Sequence, residues 1–211
     1  MKDPRFYKLL LTINGSLPLA LMAYDALTNP DNLGPDPIAQ GLHVTGVGAL
    51  LFLMATLTVT PLRKLTGWNW LSHFRRMLGL FAFWYALSHF GIYFYFDEEL
   101  SVPGLINEVK NHPYIFVGLL AFLGMIPLAI TSTNGMIRYL GAADWKLLHK
   151  LTYFVAIAGV VHLFLIKQAK NDIGEPVMYG AVLALLLGYR VYAALRKSKT
   201  QKAQVPPART P

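Results

Sequence analysis

The sequence predicts an all-α integral membrane protein built as a six-transmembrane-helix bundle. Two observations carry this. Of the 211 residues, 55% are hydrophobic and only 14% charged, and the mean hydropathy is +0.42; soluble domains carry roughly a quarter charged residues. The apolar residues also fall into six long, largely uncharged runs at 9–26, 44–62, 77–96, 114–130, 148–166 and 177–194. Each approaches the ~20 helical residues needed to cross a hydrocarbon core, and all are too long for barrel strands.

The first run follows Lys2, Arg5 and Lys8 as a signal peptide would. Asn14 to Pro18 interrupts its apolar core and no small-x-small cleavage site follows, so it is expected to remain as a span. Before the second run lies a turn-rich outer loop at 28–40 with Pro30, Gly34, Pro35 and Pro37. The third opens behind Arg75 and Arg76 and is separated from the fourth by an outer loop at 97–112. His149 and Lys150 open the fifth, and Tyr179 and Tyr192 lie near the two ends of the sixth. Residues 1–195 are read as one membrane domain, and 196–211, basic and then proline-rich, as a disordered cytoplasmic tail near anionic lipid.

Placing both termini in the cytoplasm puts all nineteen Lys and Arg inside except Lys110, Lys167 and Lys170. Such a bias orients membrane proteins, so a multi-pass membrane protein with both termini cytoplasmic is expected. Trp68, Trp70, Tyr139 and Trp145 then mark the inner interface, and Tyr93, Tyr95 and Tyr114 the outer. The net charge of +8 is thereby a topological signal, and no nucleic-acid partner is implied.

With no cysteine, disulfides, Fe–S clusters, thiolate haem ligation and cysteine nucleophiles are excluded. No Gly-rich phosphate loop follows a strand, so the chain draws no hydride from a nicotinamide by itself.

His89 and His162 stand deep in two runs that cross the membrane in the same direction, both past the midpoint towards the outer side. An intramembrane imidazole is costly unless it is used, and two at matched depth suit the axial positions of one haem iron. His149 lies on the same run as His162 but near the inner surface, ~20 Å away along a helix. Thirteen residues turn an ideal helix so that the two point about 140° apart. Facing one neighbour would therefore take local unwinding near Gly159, or else different partner helices. Gly91 and Gly159 offer room for a porphyrin, and Arg75 and Arg76 suit a haem propionate or a flavin phosphate. His43 lies at the outer mouth of the second run, while His73 and His112 fall in loops as solvated residues.

The order of His89 in the third helix, then His149 and His162 thirteen apart in the fifth, resembles the ferric-reductase-like transmembrane domain superfamily that includes NADPH oxidases. The stretches His43-Val44-Thr45-Gly46, Thr60-Pro61-Leu62, Arg75-Arg76-Met77-Leu78-Gly79-Leu80, Thr131-Ser132-Thr133 and Leu147-Leu148-His149-Lys150 narrow this. Together with His162, from about Pro35 to Arg196, they resemble the MsrQ family, haem-binding membrane subunits of a bacterial periplasmic methionine sulfoxide reductase system.

That resemblance implies His89, His149 and His162 as ligands of haem iron. The oxidase pattern places a second histidine fourteen residues before His89, where this chain has Arg75. One haem b is therefore expected, with a second only if His149 finds a partner. FMN is implied by kinship alone, with no motif to locate it. The implied role is an electron-transfer subunit rather than a catalytic one. It would take electrons from the quinone pool, or from a cytosolic flavin reductase, and pass them to a periplasmic molybdopterin-containing subunit that reduces methionine sulfoxide. Two other readings of the residues stay open. One is a self-sufficient ferric or cupric reductase gathering ions at Asp97, Glu98 and Glu99; the other is a proton-coupled transporter relaying protons through its histidines.

Overall fold

The computed structural model describes residues 4–169 and 171–203, which fold into helices α1 (Pro4–Thr28), α2 (Pro37–Thr66), α3 (Arg75–Ile92), α4 (Val102–Asn111), α5 (Pro113–Ile130), α6 (Asn134–Leu140), α7 (Ala142–Leu148), α8 (Leu151–Gln168) and α9 (Gly174–Ala203). Among the described residues there is no strand. Six helical segments are long and apolar enough to cross a membrane: α1, α2, α3 with its flanking turns, α5, α7 with α8, and α9. The six-helix expectation holds, and every expected run lies within one of these segments.

Local chemistry sets the helix ends. Asp36 caps α2 by accepting from the Ala39 amide at 2.9 Å, and Pro37 supplies a first-turn residue that needs no donor. Gly67, in the left-handed region at φ 74°, ends α2 by donating to the Arg63 carbonyl. Ser101 caps α4, so the 97–112 segment expected as a loop contains a helix. Its apolar content was too short to stand out in the sequence. Helix α9 continues to Ala203, into the segment expected as tail, while residues 204–211 of that tail lie outside the described residues.

Helix α2 is the hub. Its Leu50, Leu53, Met54 and Leu57 form one buried cluster with Ala82 of α3, Met125 of α5, Val155 and Ala156 of α8, and Tyr179 and Leu183 of α9. Helix α3 approaches closely enough that a Cβ on Gly48 would collide with the Tyr85 ring. The Tyr85 hydroxyl then reaches past α2 to donate to the Gly15 carbonyl of α1 at 2.8 Å. Helix α1 is otherwise peripheral, with Leu9, Ile13, Leu17 and Leu21 exposed, as suits a helix bathed in lipid.

Pro61 lies inside α2 and has no N–H, so the Leu57 carbonyl lacks its partner one turn on. Arg190 of α9 donates Nη2 to that carbonyl at 2.8 Å, and its guanidinium stands 5.3 Å from the Tyr153 ring centre of α8. One cation thus closes a gap in the α2 ladder and joins three helices.

Candidate functional site

Helices α3 and α8 carry His89 and His162 to the same level, where their rings lie 6.1 Å apart, centre to centre, and perpendicular at 90°. Each ring is held from behind. His89 Nδ1 donates to the Leu42 carbonyl of α2 at 2.9 Å, and His162 Nδ1 donates to the Tyr114 carbonyl of α5 at 2.7 Å. A carbonyl only accepts, so the proton of each imidazole sits on Nδ1 and Nε2 keeps its lone pair. Neither Nε2 has a hydrogen-bond partner among the described residues.

One turn beyond each carbonyl stands a glycine against which the ring lies. A Cβ on Gly46 would come within 3.0 Å of His89, and one on Gly118 within 2.7 Å of His162. The α2–α3 pair and the α5–α8 pair thus repeat one device, a carbonyl and then a glycine four residues on, although the sequence shows no internal repeat. Gly91 and Gly159, expected to leave room for a porphyrin, do not lie against either ring. A Cβ on Gly91 meets nothing within 4 Å, and one on Gly159 meets only Leu50 at 3.5 Å. Periodicity locates a glycine on a helix but does not reveal which side chain of the next helix crosses it. Gly46 stood in the His43–Gly46 stretch, whereas Gly118 carried no signal of its own. Four residues beyond His89 the backbone widens into a π turn, Tyr93–Asp97, a feature frequent near functional residues.

His149 lies at the opposite end of the bundle, in the break between α7 and α8. There Lys150 N bonds to Leu147 O and Tyr153 N to Lys150 O, bonds to the third rather than the fourth preceding residue. The chain is therefore not unwound near Gly159, which α8 passes through without interruption; it is tightened at His149 itself. His149 and His162 also take different partner helices. His149 stacks on Trp145 at 3.9 Å, and its Nε2 lies 3.0 Å from Thr131 Oγ1. The Thr131 hydroxyl donates to the Pro127 carbonyl at 2.6 Å, so it accepts from His149 Nε2–H and leaves Nδ1 as the basic nitrogen. The Thr131 carbonyl accepts from Trp145 Nε1 at 2.9 Å. Thr131 stands in the Thr131-Ser132-Thr133 stretch, but nothing along that stretch marks it as the residue that orients His149.

Next to His149 is a cavity of about 220 Å³ between α2, α3, α5 and the α7–α8 break. It is lined by the polar or charged Arg75, Arg76, Ser132, Trp145 and Thr152 and by the apolar Leu53, Phe83, Met125 and Leu128. Its lining includes no imidazole besides His149. Arg76 Nη2 donates to Asn134 Oδ1 at 2.7 Å. The structure thus gathers Arg75, Arg76 and His149 at one end and His89 with His162 at the other.

The remaining histidines have local partners. His43 is on the exposed side of α2, 3.8 Å from Glu175, whose other oxygen meets Lys167 at 3.0 Å. His73 Nδ1 lies 2.9 Å from the Trp70 carbonyl, and His112 pairs with Glu108 at 2.7 Å. No group of three or more His, Asp or Glu suited to a bare metal ion occurs among the described residues.

Residues 44–160 match the family described as Ferric reductase like transmembrane component. The chain is 44% identical, over 93% of its length and 89% of the relative's, to a Herminiimonas arsenicoxydans protein named protein-methionine-sulfoxide reductase heme-binding subunit MsrQ. The chain belongs to the MsrQ family. A second MsrQ, from Azospira oryzae, is 46% identical over 79% of this chain and 71% of its own. A third, from Xanthomonas campestris, is 44% identical over 86% and 82%. MsrQ membership and the six apolar helices together make this a multi-pass membrane protein. No solved structure matches the chain.

Proposed function

We propose that this chain is the haem-binding, electron-transferring membrane subunit of a methionine sulfoxide reductase system, with one haem b held between His89 and His162. One observation carries the reading: two imidazoles face each other with both Nδ1 protons committed to carbonyls. Two iron–nitrogen bonds of about 2 Å, plus the ring radii, call for centres about 6 Å apart; the rings stand at 6.1 Å. When bound, haem would supply reversible one-electron carriage, and holding it through both His89 and His162 would direct it to electron transfer rather than oxygen binding.

The protein's own groups do the rest. Leu42 and Tyr114 fix the tautomer and aim of each ring, and their carbonyls make the ligand nitrogens more basic. Gly46 and Gly118 let the rings lie against the neighbouring helices and so leave the space between α3 and α8 to the porphyrin. His149, implied as a third ligand, faces no second imidazole among the described residues, so the proposal carries one haem and keeps His149, through Nδ1, as the inner-side candidate.

The family resemblance supports the wider assignment. The chain would lie in the bacterial inner membrane with both termini cytoplasmic, receiving electrons from the quinone pool or a cytosolic flavin reductase, with FMN as a further cofactor. A periplasmic molybdopterin-containing subunit would take them from the His89–His162 end. Reducing each sulfoxide to a thioether and water consumes two electrons and two protons, so the centre must turn over twice per repair.

A reduced-minus-oxidised visible spectrum of the purified full chain, with pyridine haemochrome stoichiometry, tests this. Sharp b-type bands at one haem per chain are expected. Absence of haem after expression with ample haem supply would overturn the reading.

A further inference from the structure

Thr45, fully buried on α2, sets its Oγ1 3.4 Å from His89 Nδ1. Its single proton is directed elsewhere. The hydroxyl donates to the Gly41 carbonyl at 2.6 Å, the shorter of its two carbonyl contacts, the other being Leu42 at 3.3 Å. A threonine hydroxyl bonded back to its own helix turns only lone pairs towards what lies beyond. The His89 Nδ1–H, which donates to the Leu42 carbonyl at 2.9 Å, is therefore shared with a second acceptor in a three-centre bond.

The back-bond by itself marks nothing, because Thr12, Thr28, Thr56, Thr58 and Thr66 make it too. Of the threonines bonded this way among the described residues, Thr45 and Thr131 are the two whose oxygen meets an imidazole.

The other half of the site supplies the contrast. On α2 the Leu42 carbonyl is followed by Thr45 three residues on and Gly46 four residues on; on α5 the Tyr114 carbonyl is followed by Val117 and Gly118 at the same steps. Valine has the shape of threonine without the hydroxyl. The two settings thus differ at that step by one oxygen, and it stands on the His89 side.

We propose that Thr45 is a positioning residue that tunes the haem centre through His89. The inference rests on the haem reading above. A second acceptor on Nδ1–H makes Nε2 more basic, and a more basic axial ligand favours ferric over ferrous iron, so Thr45 lowers the midpoint potential. Neither ligand identity nor haem content depends on it.

The full-length protein would be purified as wild type, Thr45→Val, Thr45→Ser and Val117→Thr, with Thr58→Val as control. Thr58 bonds back on the same helix but meets no imidazole. Each sample is measured for haem content and for midpoint potential by spectroscopic redox titration. T45V should raise the potential by about threefold in the reduction equilibrium constant, roughly 28 mV at about 59 mV per tenfold for one electron. T45S and T58V should match wild type, and V117T, which gives His162 the same acceptor, should lower the potential.

A full complement of haem with an unmoved potential in T45V overturns the role of Thr45 and leaves the haem reading intact. So does a shift in T45S or T58V as large as that in T45V, or a rise in V117T. Haem lost from T45V but held by T45S at the wild-type potential supports the proposal, since the hydroxyl is then what aims His89; haem lost from both overturns it. Wild type without haem overturns the haem reading and this proposal together.

Discussion

His89 and His162, 73 positions apart in the chain, face each other with ring planes at 90° and centres 6.1 Å apart. Perpendicular axial imidazoles leave the two π-symmetry d orbitals of a ferric iron nearly degenerate. The oxidised protein should therefore show a highly anisotropic low-spin EPR signal, dominated by a single large-g feature. A rhombic three-line spectrum typical of parallel imidazole planes would contradict this geometry.

Replacing either proposed ligand should remove the haem and not the protein. His89→Ala and His162→Ala are expected to insert at wild-type levels, judged by membrane-fraction immunoblot, with haem falling from about one per chain to near zero. Unchanged haem content in both variants would refute the ligand assignment.

The glycines behind the rings should rank by contact. Gly118→Ala places a methyl 2.7 Å from the His162 ring, whereas Gly46→Ala places one 3.0 Å from His89 and Gly91→Ala meets nothing within 4 Å. Haem affinity, followed by titrating haem into apoprotein, should fall most for Gly118→Ala, less for Gly46→Ala and not for Gly91→Ala. Overpacking of this kind costs about 1–3 kcal/mol.

Arg190 and Pro61 should be coupled. Arg190→Met leaves the Leu57 carbonyl without a donor in the membrane interior and should destabilise the protein by about 1–3 kcal/mol, read from denaturation in mixed micelles. Pro61→Ala restores an N–H that can bond that carbonyl, so adding Arg190→Met in that background should cost clearly less. Additive losses would show that the guanidinium serves some other purpose.

Topology is open to a direct test because the chain has no cysteine. Asn107→Cys on α4 and Lys64→Cys at the end of α2 lie at opposite ends of the bundle, and both positions are exposed. With both termini cytoplasmic, a membrane-impermeant maleimide added to spheroplasts should label Asn107→Cys and spare Lys64→Cys until the membrane is broken. The reverse pattern would invert the proposed direction of electron flow.

Residue patterning along the chain was enough to show a bundle of six membrane helices and where those helices run. Hydrophobicity and charge act on each segment independently, and lipid leaves helices as the only continuous option for such runs. Spacing along single helices likewise placed His89 and His162 at one depth and His149 at another. What stands across from each residue came from helix packing alone: the carbonyls of Leu42 and Tyr114 behind the rings, Gly118 against His162, Thr131 orienting His149, and Arg190 on the carbonyl that Pro61 strips. Such contacts depend on the rotation and approach of one helix against another. Those are set by the summed packing of both surfaces, and no periodicity read along a single segment contains them.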